Sequence, residues 1–198
     1  MGIIAALVMT LAPLGAGRTI LNLLDVNTHF SVSERLVLAL LIGNFAMGLT
    51  IWGVGTLVYT PLSMGTIAAA FAALSLFNLC YDRIGVRMVW PIRAGSMPLL
   101  LTCMIVLIAT LGYIGCLAPP SDHDSLRYHL RLPARDLALG RIVLIPGWSI
   151  YEFLPPLGHS LNHMAYAFGG ATSVSALNMT WQLLTGVTTG LIAHRLGV

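Results

Sequence analysis

Charged residues are scarce in this chain, where they make up 9% of 198 residues and include no lysine. A soluble domain carries about 25% charged residues, so the deficit excludes a water-facing surface over most of the chain. The hydrophobic fraction of 57% predicts that lipid is the main solvent. The arginines lie between apolar runs, where membrane orientation and lipid headgroups explain them. Nucleic-acid binding is disfavoured because no basic-aromatic motif accompanies them.

Cysteine is also rare, with only Cys80, Cys103 and Cys116. Three cysteines do not make a disulfide framework. All three lie in or at the edge of apolar runs, and we interpret them as small apolar residues of a helix bundle.

The apolar runs predict an all-α, polytopic membrane helix bundle. A spanning helix needs about 20 apolar residues, and five runs approach or reach that length: Ile3–Gly17, Leu36–Tyr59, Pro61–Cys80, Pro98–Leu117 and Ser173–His194. The chain therefore divides into four N-terminal membrane helices (1–117), a polar loop with juxtamembrane helices (118–172) and a fifth membrane helix (173–198).

Single residues in these runs carry further expectations. Proline at position 61 predicts a helix start after a tight turn. Asn44 predicts an interhelical hydrogen bond rather than a site. Gly186 and Gly190 have the small-residue spacing that lets helices approach closely in lipid.

Arginine placement predicts the orientation. Six arginines fall on one side if every run spans, which makes that side cytoplasmic: Arg18, Arg35, Arg83, Arg87, Arg93 and Arg195. The polar segment 118–156 is then extracytoplasmic. It holds Arg127, Arg131, Arg135 and Arg141. These four count against the assignment, so either the topology is inverted or they are held outside for a purpose.

The polar loop carries most of the candidate chemistry. Ser121 and Asp124 have capping-box spacing, which predicts an interfacial helix that Pro133 should interrupt or kink. Asp124 is either a cap of this helix or a functional carboxylate, and Tyr128 lies one turn further along the same face.

Arg127, Arg131 and Arg135 repeat every four residues, a spacing at which like charges repel. The stripe therefore predicts an anionic partner, either lipid headgroups in general or one specific lipid phosphate.

Metal binding is a weaker alternative. Four residues of the loop have competent ligand side chains without an established ligand spacing: Asp122, His123, Asp124 and His129. His159 and His163 lie four apart but lack the glutamate of the zincin pattern, and polar packing explains them better.

At this point the loop resembles a known family. The pattern Pro-Pro-x-x-x-Asp124-x-x-x-Tyr128-His129, followed by Gly140-Arg141-Ile142 and a later proline, is similar to the first extracytoplasmic loop of GT-C glycosyltransferases. The protein-mannosyltransferase and aminoarabinose-transferase branch is the most similar. A second element, Tyr151-Glu152-x-x-Pro-Pro-Leu, resembles that family's aromatic-acid-x-Pro-Pro-Leu motif.

The resemblance implies a multi-pass enzyme of the cytoplasmic (inner) membrane that moves a sugar from a polyprenyl-phosphate carrier to an acceptor outside. It implies that Asp124 is the catalytic base, with Asp122 as a possible second carboxylate, and that no cofactor is needed. Binding of the lipid-linked sugar is expected from Arg127, Tyr128, His129, Arg131, Arg135 and Glu152. The family has more membrane helices, so the chain is expected to be an N-terminal portion, or a part that works with a partner subunit. The competing hypothesis is a non-catalytic membrane subunit or transporter fragment that binds a lipid phosphate.

Overall fold

The computed structural model describes residues 2–25, 30–81, 99–118, 120–121, 129–143 and 156–197, and all regular elements in these ranges are helices. In chain order they are α1 (Gly2–Leu11), α2 (Leu14–Leu23), α3 (Val32–Gly55), α4 (Pro61–Tyr81), α5 (Leu99–Gly115), α6 (Arg131–Leu139) and α7 (Pro156–Leu196). The predicted all-α class is confirmed for these residues.

Three segments are long and apolar enough to cross a membrane: Gly2–Leu23, Val32–Gly55 and Pro61–Asn78. They correspond to the first three predicted spans. The fourth predicted run appears as a shorter apolar helix, Cys103–Gly115. The fifth lies within α7, which is not among the three segments, so spans four and five stay predictions.

The first span differs from the single short helix predicted over Ile3–Gly17. Pro13 separates α1 from α2, and Arg18 lies inside α2 rather than after the run. Ser75 of α4 packs at the break, where its hydroxyl donates to the Ala12 carbonyl and accepts from the Gly15 N–H at 2.7 Å. A side chain from a neighbouring helix thus satisfies the backbone groups that the break releases at membrane depth.

Close backbone contact occurs between α2 and α3, not at the predicted glycine pair. A Cβ at Gly17 would overlap the Ala39 carbonyl, and one at Gly43 would overlap the Pro13 carbonyl. At Gly186 and Gly190 no described atom lies within 4 Å of such a Cβ. That pair therefore makes no close contact with the described residues.

The capping residues explain where α3 and α4 begin. Ser31 and Glu34 form a reciprocal capping box at the start of α3, which satisfies two otherwise unpaired N–H groups. Helix α4 begins at Pro61, as predicted, and Thr60 and Ser63 exchange hydrogen bonds around it at 3.0 and 3.1 Å.

Helix α7 bends sharply at Gly169-Gly170. Gly170 has φ 60° and ψ −148°, a conformation open essentially only to glycine. The first half of α7 packs against α6, and residues beyond the bend contact α5, where the Tyr113 and Thr180 hydroxyls are 2.9 Å apart.

An ion pair joins α7 to α3 at one end of the bundle. Arg195, near the end of α7, lies 2.9 Å from Glu34 at the start of α3. The far end of α3 meets α6 and the first half of α7, and the candidate site lies there.

Candidate functional site

Helix α6 is held against the turn between α3 and α4 by two backbone hydrogen bonds. The Ile142 N–H donates to the Gly55 carbonyl at 2.7 Å, and the Tyr59 N–H donates to the Gly140 carbonyl at 2.6 Å. Gly140 ends α6 with φ 69°, a left-handed conformation that favours glycine. Ile142 is buried beside Gly55. The Gly140-Arg141-Ile142 element therefore anchors α6 to the bundle.

Pro133 lies in the first turn of α6, whereas the helix that it was predicted to interrupt begins at Ser121 and runs through residues 122–128, outside the described residues. Helix α6 begins at Arg131, so Pro133 is its third residue. The N–H groups of a first helical turn have no intrahelical acceptor, and proline is tolerated there because it lacks that group. The predicted capping box at Ser121 and Asp124 involves residue 124, which lies outside the described residues.

Three charged or titratable side chains meet where α6 packs on α7. We call Arg135, Asp136 and His163 the Asp136 cluster. The Arg135 guanidinium donates to Asp136 Oδ1 at 2.7 Å and to the Val143 carbonyl at 2.7 Å. Asp136 Oδ2 lies 2.9 Å from His163 Nε2. Asp136 is 1% exposed and His163 is 4% exposed, so these contacts are shielded from bulk water.

His163 lies between two acceptors. Its Nδ1 is 2.7 Å from the His159 carbonyl oxygen, and its Nε2 is 2.9 Å from Asp136 Oδ2. The tautomer of the ring decides to which of the two oxygens His163 donates.

Two further histidines lie beside the cluster. The rings of His129 and His159 stack with centroids 5.7 Å apart, and Asn162 Nδ2 is 3.5 Å from His129 Nδ1. Burial lowers the pKa of His159 from 6.5 to about 4, with smaller contributions from the charges of His129 and His163. His159 is therefore neutral at pH 7 and acts there through hydrogen bonding and packing.

Tyr59 ties the α3–α4 turn to α7. Its hydroxyl donates to the His163 carbonyl at 2.6 Å, and its ring meets the His163 ring edge-on at 5.3 Å. Burial raises the pKa of Tyr59, and the Asp136 charge raises it further. The phenol thus stays protonated and remains a donor at ordinary pH.

The predicted binding residues separate into distinct groups. Arg131 is exposed at the first turn of α6, whereas the Arg135 guanidinium is directed to Asp136 and Val143. His129 is half-buried against His159. Five predicted residues lie outside the described residues: Asp122, Asp124, Arg127, Tyr128 and Glu152. Their roles stay predictions.

The sequence analysis missed Asp136 and Tyr59. Asp136 directly follows Arg135 in the polar loop, where an acid is expected to be exposed, so no pattern in the sequence indicated its burial. The partner itself, His163, lies 27 residues further on, and no local periodicity links the two. His163 was expected to serve in polar packing, and its buried contact with Asp136 agrees with that interpretation.

Among the described residues no three His, Cys, Asp or Glu side chains are grouped so that they could hold a metal ion. The metal alternative depends on residues 122–124, which lie outside that part of the chain. In comparisons with known proteins, no family model, no curated protein and no solved structure matches the chain.

Proposed function

We propose that the chain belongs to a GT-C-type glycosyltransferase of the inner membrane. It would transfer a sugar from a polyprenyl-phosphate carrier to an acceptor on the extracytoplasmic side. The observation that carries this proposal is the spacing in the polar loop, from Asp124 through Tyr128 and His129 to Gly140-Arg141-Ile142. The three long apolar helices support a membrane location.

The packing of α6 supports this interpretation of the loop. Two residues of the Gly140-Arg141-Ile142 element have a clear structural role. Gly140 adopts a left-handed conformation, and the buried Ile142 donates its N–H to the Gly55 carbonyl. That anchor fixes α6 at one end of the apolar bundle. His129, which directly follows Tyr128 in the chain, is held there by stacking on His159. His129 and the Gly140-Arg141-Ile142 element therefore lie at the end of α3, where a lipid-borne donor would arrive.

Charge at this end favours an anionic leaving group. Arg131 and Arg141 are exposed on the same short segment as the Asp136 cluster. In a glycosyl transfer from a lipid phosphate, negative charge on the phosphate must be stabilised as the sugar departs. Arginine suits that task because its fork of N–H donors matches phosphate oxygens.

The base role of Asp124 is tested with Asp124→Asn in the complete enzyme, inserted in membranes and supplied with a polyprenyl-phosphate sugar. Asparagine caps helices nearly as well as aspartate, so a capping role predicts near-normal transfer. A base role predicts a folded protein whose transfer falls about 10²-fold or more, because the amide cannot accept the proton. Asp122→Asn is the matched control, and a loss confined to that variant would move the base to Asp122.

Phosphate binding is tested by comparing Arg131→Gln with Arg135→Gln. Arg131 is exposed, so its loss should weaken polyprenyl-phosphate binding by about 1–3 kcal/mol for a charge-assisted contact. Arg135 is engaged with Asp136, so its loss should act first on folding stability. Unchanged binding by Arg131→Gln would leave only general headgroup attraction. Binding without transfer by the parent would favour the non-catalytic alternative.

Orientation is tested by labelling single cysteines with an impermeant reagent in intact cells, after the three native cysteines are replaced. Cysteine at 141 should react and cysteine at 87 should not. The reverse pattern would invert the topology.

A further inference from the structure

The turn between α3 and α4 exposes large apolar side chains. Leu57 is 83% exposed, Val58 is 43% exposed, and Leu62 in the first turn of α4 is 81% exposed. Turns that face water are dominated instead by glycine, proline, asparagine, aspartate and serine. An apolar turn at the end of a helix long enough to cross the membrane therefore indicates contact with lipid.

The length of α3 brings this turn to the membrane interface. Helix α3 has 24 residues and measures about 36 Å at 1.5 Å per residue. The hydrocarbon core of a bilayer is about 30 Å thick, and the headgroup regions extend it to about 40–45 Å. A helix of this length crosses the core and ends among the headgroups. The apolar turn thus lies at the level where acyl chains meet phosphates.

Arg141 lies directly beside this turn. The residue before it accepts from the Tyr59 N–H at 2.6 Å, and the residue after it donates to the Gly55 carbonyl at 2.7 Å. These two bonds bracket Arg141 and hold its backbone alongside the middle of the turn. Its side chain is exposed, and in the described part of the chain no hydrogen bond or ion pair engages its guanidinium.

Three leucines surround the position of this arginine. Leu57 belongs to the bracketed turn, whereas Leu62 and Leu139 lie within three residues of the hydrogen bond between Tyr59 and Gly140. Leu139 is 54% exposed. We call the four exposed side chains, Leu57, Leu62, Leu139 and Arg141, the Arg141 rim.

The combination of one cation with an apolar surface defines the ligand. The fork of N–H donors on a guanidinium matches the oxygens of a phosphate. A soluble anion would occupy the arginine and leave the leucines uncovered, whereas a neutral lipid would cover the leucines and leave the arginine without an anion. A lipid with a net negative phosphate headgroup satisfies both parts of the rim.

We propose that the Arg141 rim binds the phosphate of an anionic phospholipid, whose acyl chains cover the three leucines. Arg131 belongs to a different position, because helix α6 lies between the two arginines. That helix has nine residues and is about 13 Å long, which exceeds the Debye length of about 8 Å at physiological salt. The binding of this phospholipid does not depend on the proposed glycosyl transfer.

The test reports lipid contact at position 57. Leu57→Cys is introduced after the three native cysteines are replaced, and the new cysteine carries a bimane fluorophore. The labelled protein in phosphatidylcholine nanodiscs receives increasing mole fractions of nitroxide-labelled phosphatidylglycerol, or of nitroxide-labelled phosphatidylcholine with the same acyl chains. A charge-assisted contact predicts half-maximal quenching by phosphatidylglycerol at a mole fraction about 5- to 10-fold lower than by phosphatidylcholine.

Two arginine variants separate a local contact from general attraction. Arg141→Gln and Arg131→Gln each remove one positive charge from the same segment, so attraction to the whole surface predicts an equal loss of the preference for phosphatidylglycerol. The proposal predicts that only Arg141→Gln abolishes this preference, in a protein whose circular dichroism spectrum is unchanged. Equal quenching by the two lipids in the parent overturns the proposal, as does a preference that survives Arg141→Gln or falls equally in both variants.

A polyprenyl phosphate also combines a phosphate with an apolar chain, so it is the remaining competitor for the rim. Unlabelled phosphatidylglycerol and unlabelled polyprenyl phosphate are added separately to the quenched sample. Relief of quenching by phosphatidylglycerol at an equal or lower mole fraction supports the proposal. Relief by polyprenyl phosphate at a mole fraction about tenfold lower would assign the rim to that lipid and overturn the proposal.

Discussion

Substitution of Asp136 should destabilise the fold more than any other single change to a charged residue among those described. The Asp136 carboxylate accepts a hydrogen bond from the Arg135 guanidinium at 2.7 Å and lies 2.9 Å from His163 Nε2. Only 2% of the Asp136 side chain is exposed. Removing one member of a buried ion pair typically costs about 3–5 kcal/mol, because the partner's charge is left buried and uncompensated. Asp136→Ala should fall in that range.

Asp136→Asn gives a graded outcome. The amide oxygen still accepts from Arg135 and the amide nitrogen can donate to His163 Nε2, so the geometry survives while the charge is lost. The expected cost is about 1.5–3 kcal/mol, the contribution of a hydrogen bond to a charged group. Unfolding is followed by circular dichroism during denaturant titration in mixed micelles.

The chain provides a matched control at its other end. Arg195 lies 2.9 Å from Glu34, but 52% of the arginine side chain and 19% of the glutamate side chain are exposed. An exposed ion pair contributes little to stability because water and salt screen it, so Arg195→Gln should be nearly neutral in the same titration. If Asp136→Ala cost no more than Arg195→Gln, burial would not govern the strength of these pairs, and the account of the cluster would be refuted.

Three further predictions concern backbone packing and pH. Gly17→Ala should lower the free energy of unfolding by about 1–3 kcal/mol, because the added Cβ overlaps the Ala39 carbonyl. The control Gly53→Ala places its Cβ in open space and should raise the free energy of unfolding by about 0.5–1 kcal/mol. Equal effects of the two variants in denaturation would contradict the close crossing of α2 and α3. The Cβ of Gly140→Ala would meet no neighbouring atom, but the backbone φ of 69° at this position disfavours alanine. We expect the variant to lose about 1–2 kcal/mol of stability in thermal unfolding. An unchanged melting temperature would show that the turn relaxes. His159 has a folded pKa of about 4 against 6.5, so the unfolded chain binds the extra proton between these values. Stability should therefore be full above pH 6.5 and fall as the pH drops towards 4; His159→Gln should flatten this part of the pH profile, and an unaltered slope would exclude His159 as its source.

The sequence predicted those elements that depend on local rules. Proline at 61 marked the start of α4 because proline suits a first helical turn. Asn44 was expected to bond between helices, and its contact with the Thr10 carbonyl confirms this. Apolar length alone located α3, since a membrane span requires about 20 such residues.

Features that depend on two distant segments were not predictable in the same way. The Pro13 break could be read as a helix interruption, but its relief by Ser75 depends on a contact 63 residues away in sequence. The Gly169-Gly170 pair is a readable kink signal, although the angle depends on the helices packed around it. The Asp136–His163 contact needs the fold to exist before either residue identifies its partner.

The Asp136 cluster also bears on the arginines that complicate the orientation. The positive-inside tendency counts basic residues in short loops, and four arginines in 118–156 oppose the six on the proposed cytoplasmic side. The Arg135 guanidinium is held by Asp136 and the Val143 carbonyl, so one of the four has a structural role within the loop itself. Helix α3 has 24 residues and at 1.5 Å per residue measures about 36 Å, enough to place the cluster and the Glu34–Arg195 pair at opposite faces of a hydrocarbon core of about 30 Å.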